Sequence, residues 1–326
     1  MIRYISPDKA KEQMNNLGKE RKSFLFAFDY ELSKAFVIEE PLRQKEVLFS
    51  TPLGSNHSAC CLKKDIPSLK AFPIDYSLYK QGFDKIKLSL LRGDSYLANY
   101  TVATPIKITH SLEEIFSYVN SPFKLCLPEE FVCFSPERFV RIENNSIYTH
   151  PMKGTIDASI PNAQKIILKD KKETAEHITI VDLLRNDIGM VAKEVEVLRF
   201  RYMDKITNSK GGSILQVSSE IKGSLQEDWK KDIGSIILRL LPAGSICGAP
   251  KESTLRAINR AEKKPRGFYS GVFGYFDGER LDSAVLIRFI EKKNEEYFFR
   301  SGGGITVNSQ CKKEYEEVNQ KIYLPL

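Results

Sequence analysis

Two short segments place carboxylates at helical spacing. In KETAEH, Glu173, Glu176 and His177 stand at i, i+3 and i+4, so both carboxylates share one helix face. In EYEEVNQK, Glu314 and Glu317 repeat the carboxylate spacing, with Lys321 four residues beyond Glu317 on the same face. Two such faces brought together would offer hard oxygen ligands of the kind Mg²⁺ takes alongside water and substrate oxygens. Either segment alone reads equally well as a solvated face stitched by i, i+4 ion pairs.

Three further segments could hold anions. SGGGITV (Ser301 to Val307) sets Gly302, Gly303 and Gly304 after a strand, where bare backbone N–H groups can meet a carboxylate. PAGSICGAPKEST (Pro242 to Thr254) runs small residues into a helix start. It is no P-loop, because Pro250 precedes Lys251 and Glu252 follows it where Gly-Lys-Ser/Thr is required. Arg288 closes the alternating SAVLIR and is a candidate fork for a bidentate carboxylate contact.

The elements that must position these residues follow from periodicity and turn signals. Phe24 to Tyr30 and Ala35 to Glu40 predict a hairpin, and Ser55 to Asp65 a polar loop. Tyr79, Phe83, Ile86 and Leu90 recur at helical spacing up to Gly93-Asp94. SYLANYTV, FKLCLP, FVCF, Arg138 to Ile142, Ser146 to His150, FYSGVFGYF, SAVLIRFIE and EYFFRSGGGITV read as strands. Helices are expected at SLEEIFSYV, Asn162 to Asn186, Trp229 to Leu241, Pro250 to Ala261 and Lys312 to Tyr323. Strands arrive as adjacent pairs with short turns. The expected fold class is therefore α+β, with antiparallel sheets in a β-sandwich core and helices packed outside.

The 326 residues are 42% hydrophobic and 28% charged, enough for a large core, and no linker or repeat divides them, so one domain is expected over 1–326. The net charge of +7 is scattered rather than collected in a stripe, which disfavours nucleic acid and suits small anionic substrates. No stretch approaches the roughly 20 apolar residues of a membrane span, and nothing at the start looks like a leader. A cytoplasmic location without membrane attachment is the expectation. Cysteines 60, 61, 126, 133, 247 and 311 form no metal-ligand spacing and read as reduced, mostly buried thiols.

The order SPERF, PMKGT, KETAEHITIVDLLRND, PAGSICGAPK, YSGVFGY, SAVLIR, SGGGITV and EYEEVNQK resembles the chorismate-utilising enzymes, and among them the aminodeoxychorismate synthase component I group. The resemblance runs from about residue 93 to the end; residues 1–92 form a shortened, divergent part. It implies Mg²⁺ on Glu173, Glu176, Glu314 and Glu317, and chorismate contacts from Arg288, Gly302 to Gly304, Tyr269, Ser245 and Lys321, with Gln216 and Thr155 completing the substrate-facing set. Gln216 stands where related enzymes carry His, and Leu97 where they carry Gln.

The residue before Gly-Thr in PMKGT separates activities among these relatives: anthranilate synthases have Ala, and here it is Lys153. The resemblance thus implies Lys153 as a nucleophile toward the chorismate ring and Glu137 of SPERF as general acid. Ammonia would come from a separate glutamine amidotransferase partner, since no cysteine stands in a Gly-x-Cys-x-Gly turn. The product would be 4-amino-4-deoxychorismate, for 4-aminobenzoate and folate synthesis. The tryptophan-feedback motif Leu-Leu-Glu-Ser is absent. An anthranilate synthase, an isochorismate or salicylate synthase, or a non-catalytic basic anion-binding protein are the alternatives.

Overall fold

The computed structural model describes residues 2–57, 65–207 and 213–326. In chain order the elements are α1 (Pro7–Lys19), β1 (Phe24–Phe28), β2 (Ala35–Glu39), β3 (Leu48–Thr51), β4 (Gly54–Ser55), β5 (Leu69–Ala71), α2 (Tyr76–Leu91) and β6 (Leu97–Ile108). Then come α3 (Leu112–Tyr118), β7 (Phe123–Leu127), β8 (Phe131–Ser135), β9 (Arg138–Glu143), β10 (Ser146–Thr149), β11 (Met152–Asp157), α4 (Ala163–Lys169) and α5 (Lys171–Gly189). The chain continues with β12 (Lys193–Thr207), β13 (Ser213–Ser224), α6 (Ile233–Leu240), β14 (Gly248–Ala249) and α7 (Lys251–Glu262). It closes with β15 (Val272–Phe276), β16 (Leu281–Val285), β17 (Phe289–Lys293), β18 (Glu296–Ile305) and α8 (Cys311–Gln320).

Among the described residues these strands form two nine-stranded sheets, and every ladder is antiparallel. The first runs β11-β13-β10-β9-β16-β15-β1-β2 with β12 beside β13; the second runs β14-β6-β18-β17-β8-β7-β3-β4 with β5 beside β6. The α+β fold expected from paired strands is the one observed.

The central strands are buried on both faces, which is why they read as solid apolar runs rather than as alternation. In β1, Phe24, Phe26 and Phe28 pack outward with Met14 of α1 and Ile233 and Ile237 of α6. Leu25 and Ala27 point the other way, toward Phe49, Leu125, Phe131 and Cys133 of the second sheet. That inner cluster is the middle of the sandwich. The outer face of the second sheet is covered by Ile115 and Phe116 of α3, and its β6–β18 end by α2, α7 and α8.

Three expectations need correction. The single helix over Asn162 to Asn186 is two helices: Asp170 ends α4 and starts α5, its Oδ1 accepting from Glu173 N at 3.0 Å, and a capping carboxylate outweighs the helical tendency of its lysine neighbours. SAVLIRFIE is two strands in different sheets, parted at Leu286–Arg288. Helix α1 was not expected, although Ser6 caps it and Pro7 opens it. The loop expected over Ser55 to Asp65 lies in large part outside the described residues, as do Cys60 and Cys61. Of the described cysteines, Cys126, Cys133 and Cys247 are buried and all four are free thiols.

Candidate active site

Two connections between the sheets run side by side. The chain passes from β8 to β9 through Pro136 and Glu137, and from β16 to β17 through Leu286, Ile287 and Arg288. They are tied by backbone bonds: Val285 N donates to Glu137 O at 3.2 Å, and Phe134 N donates to Arg288 O at 3.0 Å. Arg288 takes φ +53°, a left-handed conformation that a non-glycine residue holds only where its surroundings enforce it. Both side chains line one cleft with about 740 Å³ of empty space, part of it open to solvent.

The opposite lip is the glycine strand. β18 pairs with β17 only as far as Phe289↔Arg300, while β6 continues beside it through Ile305. Residues Ser301 to Gly304 therefore present one unpaired edge, and the missing side chains leave that edge open to a ligand. A Cβ on Gly303 would come within 3.6 Å of Glu314 Oε2 and 3.8 Å of Glu317 Oε1; one on Gly304 would come within 3.2 Å of Lys153 Nζ.

Lys153 reaches this place from a bulge. The β11–β13 register slips between Met152 and Thr155, and Gly154 takes φ +90°, so Lys153 and Gly154 stand off the ladder. Lys153 Nζ lies 3.5 Å from Glu176 Oε2 on α5, and a Cβ on Gly154 would lie 3.2 Å from Glu173 Oε2. On the other side, Lys321 pairs with Glu317 at 2.7 Å and donates to Gly302 O at 2.8 Å. The two carboxylate pairs of α5 and α8 thus flank the glycine strand. Among the described residues, no three acidic, histidine or cysteine side chains stand close enough together to hold a metal ion by themselves.

Charge inside the cleft is uneven. Burial pushes the Glu137 carboxyl above its ordinary pKa, opposed by a hydrogen bond from Ser245 and by the charges of Lys153, Arg288 and Lys321. Burial pushes Lys321 down; Glu317 opposes this, while Lys153 and Arg288 add to it. A carboxyl whose pKa is raised by burial holds its proton to higher pH than a free one, which suits it to give a proton to a departing oxygen.

Of the residues singled out in the sequence, Glu137, Lys153, Ser245, Tyr269, Arg288, Gly302 to Gly304 and Lys321 all line the cleft. Gln216 and Thr155 do not. They face each other across β11–β13, Thr155 Oγ1 bonding to Gln216 Oε1 at 2.9 Å while Gln216 Nε2 donates to Gly154 O at 2.9 Å. Their observed work is to brace the bulge.

Several lining residues were not foreseen. Asn99 Oδ1, Arg300 Nε and Ser301 Oγ are buried in the cleft wall without a hydrogen-bond partner among the described residues. Arg300 also pairs with Glu291 at 3.1 Å and stacks 5.1 Å from the Tyr269 ring. A charged residue inside the apolar run EYFFRSGGG was the available signal. Behind the cleft, the buried Arg266 binds Glu262, the carbonyls of Ile246 and Asn99, and Ser270 Oγ.

The two-sheet antiparallel sandwich thus encloses a cleft lined by Glu137, Lys153, Arg288 and Lys321 beside an open glycine edge, with the carboxylate pairs of α5 and α8 flanking it. The sequence matches the chorismate binding enzyme family over residues 63–326, and the chain belongs to that family. It is an enzyme acting on chorismate. It is 47% identical over 315 residues to an uncharacterized PabA-like protein of Haemophilus influenzae, covering 97% of this chain and 96% of that one. Identity to the aminodeoxychorismate synthase component 1 of Bacillus subtilis is 28% over 282 residues, 80% of this chain and 57% of that one. The structure of MenF, the menaquinone-specific isochorismate synthase from Escherichia coli, shares the fold with a TM-score of 0.74 at 15% identity, covering 98% of this chain and 82% of that chain.

Proposed function

We propose that this chain is the ammonia-using subunit of an aminodeoxychorismate synthase, converting chorismate and ammonia to 4-amino-4-deoxychorismate and water. The observation that carries the reading is Lys153 at the bulge, with its Nζ 3.5 Å from Glu176 and beside the glycine edge, in the cleft that also holds Glu137. A lysine there supplies a nucleophile where a relative with alanine has none.

Chorismate carries two carboxylates and a C4 hydroxyl. The Arg288 fork and the open edge of Gly302 to Gly304 give two separate places for carboxylates, with Tyr269, Ser245 and Lys321 around them. Lys153 Nζ, once deprotonated, forms a bond to ring C2. The C1=C2 pair moves to C1–C6, the C5=C6 pair to C4–C5, and the C4 hydroxyl departs with the proton that Glu137 gives it. Ammonia then bonds to C4, the double bonds return to C1=C2 and C5=C6, and the C2–Nζ bond breaks. Glu137 takes back the proton that ammonia loses, so the cycle closes on chorismate plus ammonia giving product plus water.

Glu173, Glu176, Glu314 and Glu317 suit Mg²⁺ as two open pairs rather than a cage, which leaves positions for substrate oxygens and water. When bound, the cation would neutralise a substrate carboxylate and hold it between the helices. Ammonia is supplied by a glutamine amidotransferase partner, consistent with the described cysteines lacking a nucleophile's exposed turn.

The test is incubation of purified protein with chorismate, Mg²⁺ and ammonium, with and without EDTA and with Lys153→Ala, products being read by mass and ultraviolet spectrum. An aminodeoxychorismate product that disappears with EDTA and in the variant supports the reading. Anthranilate or isochorismate in its place would sink it.

A further inference from the structure

His177 sits on α5 beside Glu176, is wholly buried, and plays no part in the chemistry above. Its ring bridges two strands. Nε2 lies 2.7 Å from Ser219 Oγ on β13, and Nδ1 lies 3.4 Å from the carbonyl oxygen of Lys153 on β11. Ser219 Oγ also accepts from Arg201 N at 2.9 Å, and Ser219 N donates to Pro151 O at 3.0 Å, two residues before Lys153.

The proton positions follow from this network. A carbonyl oxygen can only accept, so the ring proton stands on Nδ1 and is donated to Lys153 O, while Nε2 accepts from the Ser219 hydroxyl, whose oxygen also takes the Arg201 N–H. The Lys153 carbonyl needs the Nδ1 proton. The register slip between Met152 and Thr155 lifts Lys153 off the ladder and leaves its partly buried backbone acceptor without a strand partner. Phe200 closes the other side of the ring, edge-on at 5.9 Å between centroids.

We infer that His177 is the positioning residue for Lys153, its Nδ1–H clamping the Lys153 carbonyl so that the bulge aims Nζ at the glycine edge of the cleft. The inference deepens the proposed function and rests on its assignment of Lys153. Asn at 177 would keep an amide N–H near the place of Nδ1; Leu would fill similar volume with no donor.

The experiment compares His177→Leu, His177→Asn and Lys153→Ala with the unaltered protein, measuring kcat and KM for chorismate with ammonium and Mg²⁺. A nucleophile misplaced by about 1 Å costs on the order of 100-fold in rate, so His177→Leu is expected to lose about that in kcat with KM for chorismate within about twofold. His177→Asn is expected to recover to within about fivefold of the unaltered kcat. Deuterium exchange over residues 152–155 should accelerate in His177→Leu and not in His177→Asn.

If His177→Leu keeps its kcat and its exchange at 152–155, or if Asn and Leu are equally impaired, the clamp is overturned. A lowered melting temperature with kcat unchanged would mark a merely structural role and overturn it as well. Activity surviving in Lys153→Ala would instead overturn the nucleophile assignment, and the exchange measurement would still decide the clamp.

Discussion

Lys251 Nζ stands 2.9 Å from Asp187 Oδ2, joining the first turn of α7 to the last turn of α5. Lys251 also donates to Leu240 O at 3.2 Å, and a Cβ on Gly244 would come within 2.8 Å of the same Asp187 oxygen. The pair therefore locks the helix bearing Glu173 and Glu176 to the segment bearing Ser245. Burial raises the Asp187 carboxyl above its ordinary pKa, and Lys251 is the main force opposing that rise. Lys251→Met should strand a mostly buried carboxylate and lower stability by about 2–4 kcal/mol, read by urea denaturation at neutral pH. Lys251→Met with Asp187→Leu should recover most of that loss, because the stranded charge goes with its partner.

The three glycines differ in what a methyl group would meet. On Gly302 it would fall 2.8 Å from Tyr100 O and 2.8 Å from Thr101 Cγ2, a contact with backbone that cannot give way cheaply. On Gly303 nothing lies nearer than 3.6 Å. Gly302→Ala should therefore lower the melting temperature by several degrees, about 1–3 kcal/mol of overpacking. Gly303→Ala should melt like the unaltered protein and bind chorismate more weakly, as calorimetry would show.

Glu137 must be protonated to act as a general acid, and its pKa lies above the ordinary carboxylate value because of burial. kcat should fall as pH rises through that raised pKa and level off above it. In Glu137→Gln the fall should be missing, with activity low throughout, on the order of 10²- to 10⁴-fold below the unaltered enzyme. A pH profile in which the variant keeps the same alkaline limb would assign that limb to another group.

His150, three residues before Lys153 but outside the cleft lining, offers a stability test. Burial, helped by Arg138, lowers its pKa from 6.5 to about 4, with Glu220 at 3.5 Å opposing the change. Between those two values the unfolded chain binds the proton more readily than the folded one. This group's contribution is therefore complete above pH 6.5 and lost as pH falls toward 4. Thermal melts should show His150→Gln losing less stability than the unaltered protein across that window.

Much of this architecture could be read from residue order. The carboxylate faces of α5 and α8 were legible because a helical period is local, and Gly302 to Gly304 because a run of glycines after a strand has few other uses. Arg288 was legible as a residue but its conformation was not: apolar residues stand on both sides of it in SAVLIRFIE with no turn signal between, since the flanking strands are buried. The bulge at Lys153 depends on Gln216 and Ser219, more than sixty residues later, and no local pattern announces such a pairing. His177 looked like part of a polar helix face until β13 was laid against it.

The paired crossings at Glu137 and Arg288 also set the mechanics of the cleft. Each is a short connection by which a strand of one sheet runs directly into the other, and the backbone bonds between them hold Glu137 and Arg288 at a fixed spacing. Lys153 belongs to the first sheet and the glycine strand to the second, so the gap between them is set by how the two sheets pack. A substitution that shifts one sheet against the other would alter the gap between Lys153 and Gly304 while the bonded pair of crossings at Glu137 and Arg288 stays joined.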